Sequence, residues 1–362
     1  MRRCFVNPND DPDALAKSLA DPGMSLRQGG LVAFPTETVY GLGANAFDET
    51  AVCRIFAAKR RPVDNPLIVH IASLNDLDGL LPSDYRLGGT ERRLIDQFWP
   101  GPLTILFPAG EHIAPSVHPG RDLVGVRMPQ GAVARALIAQ AQVPVAAPSA
   151  NVSGKPSPTT ADDVAEDLAE HIDWLVDGGE CALGVESTVL LVEEERAVIL
   201  RPGGVTQEML ASVIDIPVVF DRHLFDPAGA PLAPGMKYRH YAPDAKVHVW
   251  WGEEEAIYAA MREFMLDEDG RPWPQMRPAI IAPRDFLSRY EIHMPSDRLG
   301  ALPPDDYSAE LARSLYQLLR RFDRAEATDV LVYGVDPAHG IGTAVMNRLQ
   351  KAAEGRVVLV GY

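Results

Sequence analysis

The sequence predicts a two-domain α/β protein, and three observations carry that prediction. At 362 residues the chain is long enough for two domains of about 150 residues each. Apolar residues make up 46% and charged residues 23%, the mix of a globular chain with a sizeable core. Short apolar runs alternate with helix-period segments along most of the length, the pattern of strands covered by helices.

Residues 30–34 (GLVAF) read as a buried strand that runs into a proline turn and the loop TETVYGLGAN. Asp48 is placed to cap a helix reaching Ala58, with Val52, Ile55 and Phe56 on one face. Residues 66–72 form a strand, Ser73 and Asp76 have capping-box spacing, and Thr90 is placed to cap ERRLIDQFW. Strands are expected near 103–107, 123–128 and 143–147, with a helix at 131–141. Thr160 opens the acidic helix TADDVAEDLAEHI; strands at 187–192 and 197–200 and a helix at 206–214 follow. Residues 1–216 thus make one domain around a twisted mixed sheet. From 217 to 245 periodicity fades and Pro, Gly, His and Tyr accumulate, as in an ordered linker. Residues 246–362 make a small α/β domain of four strands (VHVWW, PAIIAP, DVLVYG and RVVLVGY) separated by helices.

Composition excludes several classes of function. The net charge is −16, with 17 basic against 29 acidic residues up to position 216 and 17 against 21 beyond it. Phosphate neutralisation needs clustered Lys and Arg, so this balance disfavours stable nucleic-acid binding. It also disfavours the rival reading, a double-stranded RNA- or tRNA-binding module of the same fold without catalysis. One local exception is the crowding of Arg54, Lys59, Arg60 and Arg61, either a solvated helix end or an anion site. Cys4, Cys53 and Cys181 have no CxxC spacing, and His112 and His118 lie in a proline-rich loop, so no metal site is expected. No apolar run approaches membrane length and the first residues do not resemble a signal peptide, so a cytoplasmic protein without a membrane partner is expected.

Gly41 to Ala46 matches GxGxxA superficially, but it does not join a strand directly to a helix and lacks the later acidic residue. The turn Gly340-Ile-Gly342 does join a strand to a helix, and reads first as structural. Five polar loops at strand ends are more informative. PTETVYGLG carries Thr36, Thr38, Tyr40 and a carboxylate; KRRPVDNP carries cations and Asn65; PSANVSGKPSPT, GVEST and LRPGG supply hydroxyls, amides and Arg201. Guanidinium forks suit phosphate oxygens, and no nucleophilic triad is present, so the set suits positioning and charge neutralisation on a nucleotide. Glu37 and Glu186 are placed to orient a metal or a lysine, and no residue stands out as a general base.

These segments occur in the order FPTETVYGLG, KRRPVDNPLIVHI, FWPGPLT, VRMP, APSANVSGKPSPT, GVESTV and ILRPGG across about residues 25–210. They closely resemble the YrdC-like L-threonylcarbamoyl-AMP synthase family. APGMKYRHYAP and the closing GxGTAxxNRLxKAA (340–353) resemble its long, two-domain form with a Rossmann-like C-terminal domain. The resemblance implies a sheet folded around an open, concave catalytic face. It also implies synthesis of L-threonylcarbamoyl-AMP from L-threonine, bicarbonate or CO2 and ATP, with release of pyrophosphate and Mg2+ accompanying ATP. The product would feed a downstream tRNA threonylcarbamoyl transferase making N6-threonylcarbamoyladenosine at position 37. By likeness, Arg61, Asn65, Leu123, Ser149, Asn151, Ser157, Arg201 and the linker residue Tyr241 contact ATP. Thr38, His70, Arg127, Ala147 and Ser187 hold threonine, and Lys59 with Arg61 stabilises the departing pyrophosphate.

Overall fold

The structure, a computed structural model, describes residues 1–224, 241–267 and 269–361. It divides into two compact units: Met1–Ser153 with residues 157–224, and Gly154–Pro156 with the described residues from 241 onward. Most of the stretch expected as a linker, 225–240, lies outside the described residues.

Eleven strands of the first unit form one sheet. They are β1 (Arg2–Phe5), β2 (Val32–Phe34), β3 (Gly41–Asn45), β4 (Ile68–His70), β5 (Leu103–Pro108), β6 (Leu123–Arg127), β7 (Val145–Ala146), β8 (Trp174–Asp177), β9 (Thr188–Val192), β10 (Ala197–Arg201) and β11 (Val218–Phe220). Their order is β1-β8-β2-β3-β7-β4-β6-β5-β9-β10-β11. The sheet is mixed: β4 pairs β6 and β5 pairs β9 in parallel, while β7 with β4, β6 with β5 and β9 with β10 are antiparallel. The helices are α1 (Pro12–Ser18), α2 (Ala20–Arg27), α3 (Glu49–Lys59), α4 (Gly89–Phe98), α5 (Ala132–Ala141), α6 (Ala161–Leu168) and α7 (Gln207–Ala211).

Helix cover differs between the two halves of this sheet, and the difference makes room for a site. On the β1-to-β7 half both faces are packed. Leu15, Leu26 and Leu137 from α1, α2 and α5 meet Val32, Phe34 and Val145, and Val52 and Val164 from α3 and α6 meet Leu42 and Leu175 across the sheet. On the β4-to-β11 half, Leu94 and Leu210 from α4 and α7 cover Val69, Ile105, Val126 and Ile199 on one face. The opposite face carries Ile68, Leu106, Leu123, Val189, Leu191, Val198, Leu200 and Val219, all from strands; among the described residues no helix side chain belongs to that cluster. Strand alternation places His70, Thr104 and Arg127 on the same face as this cluster.

Several local readings hold at the level of single hydrogen bonds. Asp48 caps α3 by accepting from Ala51 N, Thr160 caps α6 by accepting from Asp163 N, and Ser73 with Asp76 forms a capping box. Others need correction. TETVYGLGAN is not all loop, because Gly41–Asn45 is β3; its glycines pack where side chains would not fit, a Cβ on Gly43 meeting Val145 Cγ1 at 2.7 Å. The fourth helix begins at Gly89 rather than after Thr90, since the Glu91 carboxylate already accepts from Gly88 N at 2.7 Å. Strands β1 and β8 and helices α1 and α2 lie where no element was expected, and β11 extends the sheet into the stretch given to the linker.

The second unit holds β12 (Lys246–Gly252), β13 (Pro278–Pro283), β14 (Leu299–Leu302), β15 (Asp329–Tyr333) and β16 (Val357–Val360), with α8 (Glu254–Met265), α9 (Arg284–Arg289), α10 (Tyr307–Arg324) and α11 (Gly340–Ala352). The order β14-β13-β15-β12-β16 is parallel throughout, a Rossmann-like sheet with five strands rather than four. The strand that escapes sequence reading is LGAL: it is short, lies at an edge and contains Gly300, where a Cβ would come 2.9 Å from Leu318 Cδ1. In the turn before α11, a Cβ on Gly342 would sit 2.3 Å from the Asp336 carbonyl oxygen, so packing accounts for that glycine.

The loop after β10 crosses the strand-end loop before β9 at backbone contact. A Cβ on Gly203 would lie 2.3 Å from Thr188 N and 2.4 Å from Glu186 O. Gly203→Ala therefore has to spread the two loops, and a loss of about 1–3 kcal/mol is expected from overpacking. Urea unfolding checks it; an unchanged midpoint would mean that the loops are not held at this distance.

Candidate active site

The loops singled out from the sequence are joined to one another by backbone hydrogen bonds. Tyr40 N donates to Pro158 O at 2.9 Å, Leu42 N to Pro148 O at 2.9 Å, and Ala150 N to Tyr40 O at 2.8 Å. Leu183 N and Gly184 N donate to Glu37 O and Thr38 O at 2.8 and 3.1 Å. Ser153 N reaches Lys59 O, Gly101 N reaches Met128 O, and Thr188 N reaches Pro102 O. Six segments distant in sequence are thus tied together.

Arg127 lies at the centre of one corner. Its Nε donates to Gly101 O at 3.1 Å and its Nη1 to Thr38 Oγ1 at 3.0 Å. Thr38 Oγ1 in turn lies 2.7 Å from Thr36 Oγ1, which donates to Val39 O. Arg127 Nη2 sits 2.6 Å from Glu37 Oε1, with the two side chains only 4% and 11% exposed. Glu37 therefore orients an arginine rather than the metal or lysine expected. Burial pushes its carboxyl upward in pKa, but the Arg127 guanidinium and nearby backbone N–H groups outweigh burial and hold it below the ordinary value.

His70 faces this pair from β4, in register with Arg127 on β6. Its ring meets Phe34 edge-on at 6.3 Å. Burial first, then the Arg127 charge, lowers its pKa to about 3, so the imidazole is neutral at physiological pH. Glu37, Arg127 and His70 thus bring a buried carboxylate, a buried guanidinium and a neutral imidazole to one corner. Cys181 nearby is a buried thiol whose pKa burial pushes up, so it is not a nucleophile.

Ser187 and Arg201 build the adjoining corner. Arg201 Nε donates to Ser187 O and Nη2 to Ser187 Oγ, both at 3.0 Å, and Ser187 Oγ lies 2.8 Å from Thr104 Oγ1. By simple alternation from Ala197 and Ile199, Arg201 belongs on the helix-covered face. A bulge between Ile199 and Arg201 sets Arg201 opposite Val189 and returns it to the strand-only face. Thr104 escaped sequence reading, although its parity on β5, opposite to Ile105, was a usable signal.

The basic cluster splits in two. Arg54 pairs with Asp173 at 2.9 Å on the surface, and Arg60 adopts the left-handed conformation that ends α3. Lys59 is fully buried and its ammonium donates to Ser149 O and Asn151 O, fixing the PSAN loop from below. Arg61 donates to Asn65 O at 3.3 Å and Pro66 O at 3.0 Å, bracing the loop that carries buried Asn65. Ser149 Oγ donates to Asn151 Oδ1 and Asn151 Nδ2 to Val152 O at 2.7 Å, while Ser157 Oγ donates to Glu186 Oε1 at 2.6 Å. Leu123 joins the apolar strand-only face. Ala147 points its methyl into the opposite cluster and spends its N–H on Ile68 O at 2.9 Å.

Tyr241 belongs to the second unit. It is buried, stacked on Tyr316 at 5.3 Å and overlain by the Arg348 guanidinium at 5.8 Å. Within the same unit Arg320 donates twice to Pro156 O, at 3.2 and 2.7 Å. No group of three or more metal-ligating side chains occurs among the described residues.

With this geometry in place, comparison with known proteins is decisive. Residues 24–203 match a family described as telomere recombination, and residues 205–354 match the threonylcarbamoyl-AMP synthase C-terminal domain. The chain is similar to the threonylcarbamoyl-AMP synthase of Bacillus subtilis, 41% identical over 99% of both chains. The chain belongs to the threonylcarbamoyl-AMP synthase family. Its Pyrococcus abyssi relative of the same name is 44% identical over 92% of this chain and 94% of its own. A crystal structure of the P. abyssi protein complexed with L-threonine covers all of this chain at a TM-score of 0.88 and 39% identity. That structural likeness extends over both units, as the long two-domain form requires.

Neutral His70 supplies a pH signature. The unfolded chain protonates this imidazole below its ordinary value of 6.5, whereas the folded protein resists until about 3. Stability tied to His70 is thus fully present above pH 6.5 and is lost as pH falls toward 3, by up to about 1.4 kcal/mol per pH unit. His70→Gln should flatten that part of the stability curve in urea unfolding from pH 7 to 4. Parallel curves for parent and variant would show that His70 is not held neutral.

Proposed function

We propose that the chain synthesises L-threonylcarbamoyl-AMP from L-threonine, bicarbonate or CO2 and ATP, releasing pyrophosphate, as its full-length relatedness to named synthases implies. The observation that supports the site assignment is the corner of buried polar side chains around Arg127, with Glu37, Thr38 and His70. It is an enzyme of nucleotidyl transfer. Threonine's amine, after giving a proton to bicarbonate or solvent, adds to CO2, or to bicarbonate with loss of water, to form a carbamate, and a carbamate oxygen attacks the α-phosphorus in line as pyrophosphate leaves.

Threonine lies at the first corner, its carboxylate on Arg127 and its hydroxyl among Thr38, His70 and Ser187, with backbone support at Ala147. A pocket that hydrogen-bonds the hydroxyl rejects amino acids lacking it. Adenine has a dry platform in the strand-only face around Leu123. Arg61, Asn65, Ser149, Asn151, Ser157 and Arg201 line the phosphates and ribose. Arg61 neutralises the departing pyrophosphate, and Lys59 contributes charge from beneath the PSAN loop whose carbonyls it holds. Mg2+ enters as substrate on the triphosphate, a mode that suits its preference for phosphate and water ligands.

The product is a mixed anhydride, and a downstream tRNA threonylcarbamoyl transferase consumes it to make N6-threonylcarbamoyladenosine. No helix among the described residues is long and apolar enough to cross a membrane.

The test is pyrophosphate release with ATP, Mg2+, bicarbonate and L-threonine, each omitted in turn, with mass analysis of the product. Release that needs every component and yields the threonylcarbamoyl-AMP mass is expected; release without threonine would overturn the substrate. Arg127→Ala should raise the threonine KM and Arg61→Ala the ATP KM, each by roughly 10- to 150-fold for a lost charge-assisted hydrogen bond. Equal losses for both substrates in either variant would contradict its assignment.

A further inference from the structure

The corner around Arg127 is more specific than a carboxylate site. A guanidinium offered to a bare carboxylate is weakened by a second carboxylate at 2.6 Å, because the incoming anion meets a like charge. Glu37 stands at that distance, and the loop that bears it is held by Leu183 N and Gly184 N on the carbonyls of Glu37 and Thr38. His70 is neutral, so Glu37 and Arg127 leave the corner without net charge. A ligand drawn to such a pair brings both signs. An α-amino acid does so at the matching spacing, since its N–Cα–C geometry sets the ammonium nitrogen about 2.5 Å from the carboxylate carbon.

The polar groups of the corner fit the same ligand. Arg127 commits Nε to Gly101 O and Nη1 to Thr38 Oγ1 and turns Nη2 to Glu37 Oε1 at 2.6 Å. The two charges thus lie side by side, a guanidinium and a carboxylate of opposite sign at one buried point. We infer that Glu37 receives the α-ammonium of threonine while Arg127 receives its carboxylate, so that the pair reads the substrate as a zwitterion. This inference rests on the assignment of Arg127 to the threonine carboxylate. It makes Glu37 a specificity residue: it admits α-amino acids and excludes hydroxy acids that share the same carboxylate and hydroxyl. Because the guanidinium keeps Glu37 anionic, it holds the ammonium rather than acting as the base that deprotonates it.

The experiment compares L-threonine with 3-hydroxybutanoate, which keeps the carboxylate and hydroxyl and lacks the amine, in the parent chain and in Glu37→Gln. Threonine is read as KM in pyrophosphate release, and 3-hydroxybutanoate as a competitive inhibitor. Glu37→Gln should weaken threonine roughly 10- to 100-fold and leave 3-hydroxybutanoate within about threefold of its parent value or tighter. Equal weakening of both ligands would reduce Glu37 to a brace for Arg127 and overturn the inference. A second measurement needs no variant: 1-aminopropan-2-ol, with the amine and hydroxyl but no carboxylate, should compete with threonine in the parent, and no competition overturns the inference. A parent chain that releases no pyrophosphate in response to threonine sinks the functional reading itself, an outcome distinct from a threonine-dependent enzyme whose Glu37 variant keeps its selectivity.

Discussion

The buried guanidinium of Arg127 is the constraint around which the site is arranged. A charge with 4% exposure is tolerable only if it is paired and hydrogen-bonded, and its three partners come from two segments distant in sequence. Gly101 O belongs to the FWPG turn, while Thr38 Oγ1 and Glu37 Oε1 come from the loop after β2. Satisfying Arg127 therefore draws the ends of β2, β5 and β6 to one point. The adjoining corner repeats the device with Arg201, whose two hydrogen bonds to Ser187 join the β10 and β9 ends. Both arginines are stabilising only while their partners remain in place, which ties the shape of the site to the integrity of the sheet.

Helix cover is unequal across the sheet. Helices pack both faces on one half, but on the other half the described helices reach one face only, and the apolar residues of the opposite face come from strands alone. His70, Thr104 and Arg127 share that side of the sheet. The bulge at the end of β10 brings Arg201 to the same side. Glycine at position 203 then lets the neighbouring loops touch through their backbones.

Much of this was legible from residues alone, for identifiable reasons. The capping roles of Asp48, Ser73 and Thr160 rest on local hydrogen bonds within four residues, so sequence spacing determines them. The polar loops were visible because hydroxyls, amides and prolines at strand ends are uncommon in purely structural turns. Strand β1 was not visible because RRCF is mostly exposed with few apolar residues, and β8 because WLVD, at four residues, is too short to show alternation. β14 was hidden for a similar reason, being four residues long at an edge. Thr104 shows a different limit: it lies in a correctly placed strand, but only the identity of its neighbour across the sheet, Ser187, gives its hydroxyl a role.

The chain by itself determined the family, the α/β class and the set of polar loops at the strand ends, because these depend on residue type and short-range spacing. It also determined the sign of the local charges, with Arg61, Arg127 and Arg201 as cations in an acidic protein. Only the tertiary structure decided which of those charges meet. Of the four clustered basic residues, it turned Lys59 and Arg61 to the PSAN and Asn65 loops and left Arg54 on the surface. It set Glu37 against Arg127 rather than against a metal or a lysine. That pairing joins residues 90 positions apart across strands with intervening helices, and its distance follows from sheet register and packing rather than from sequence spacing.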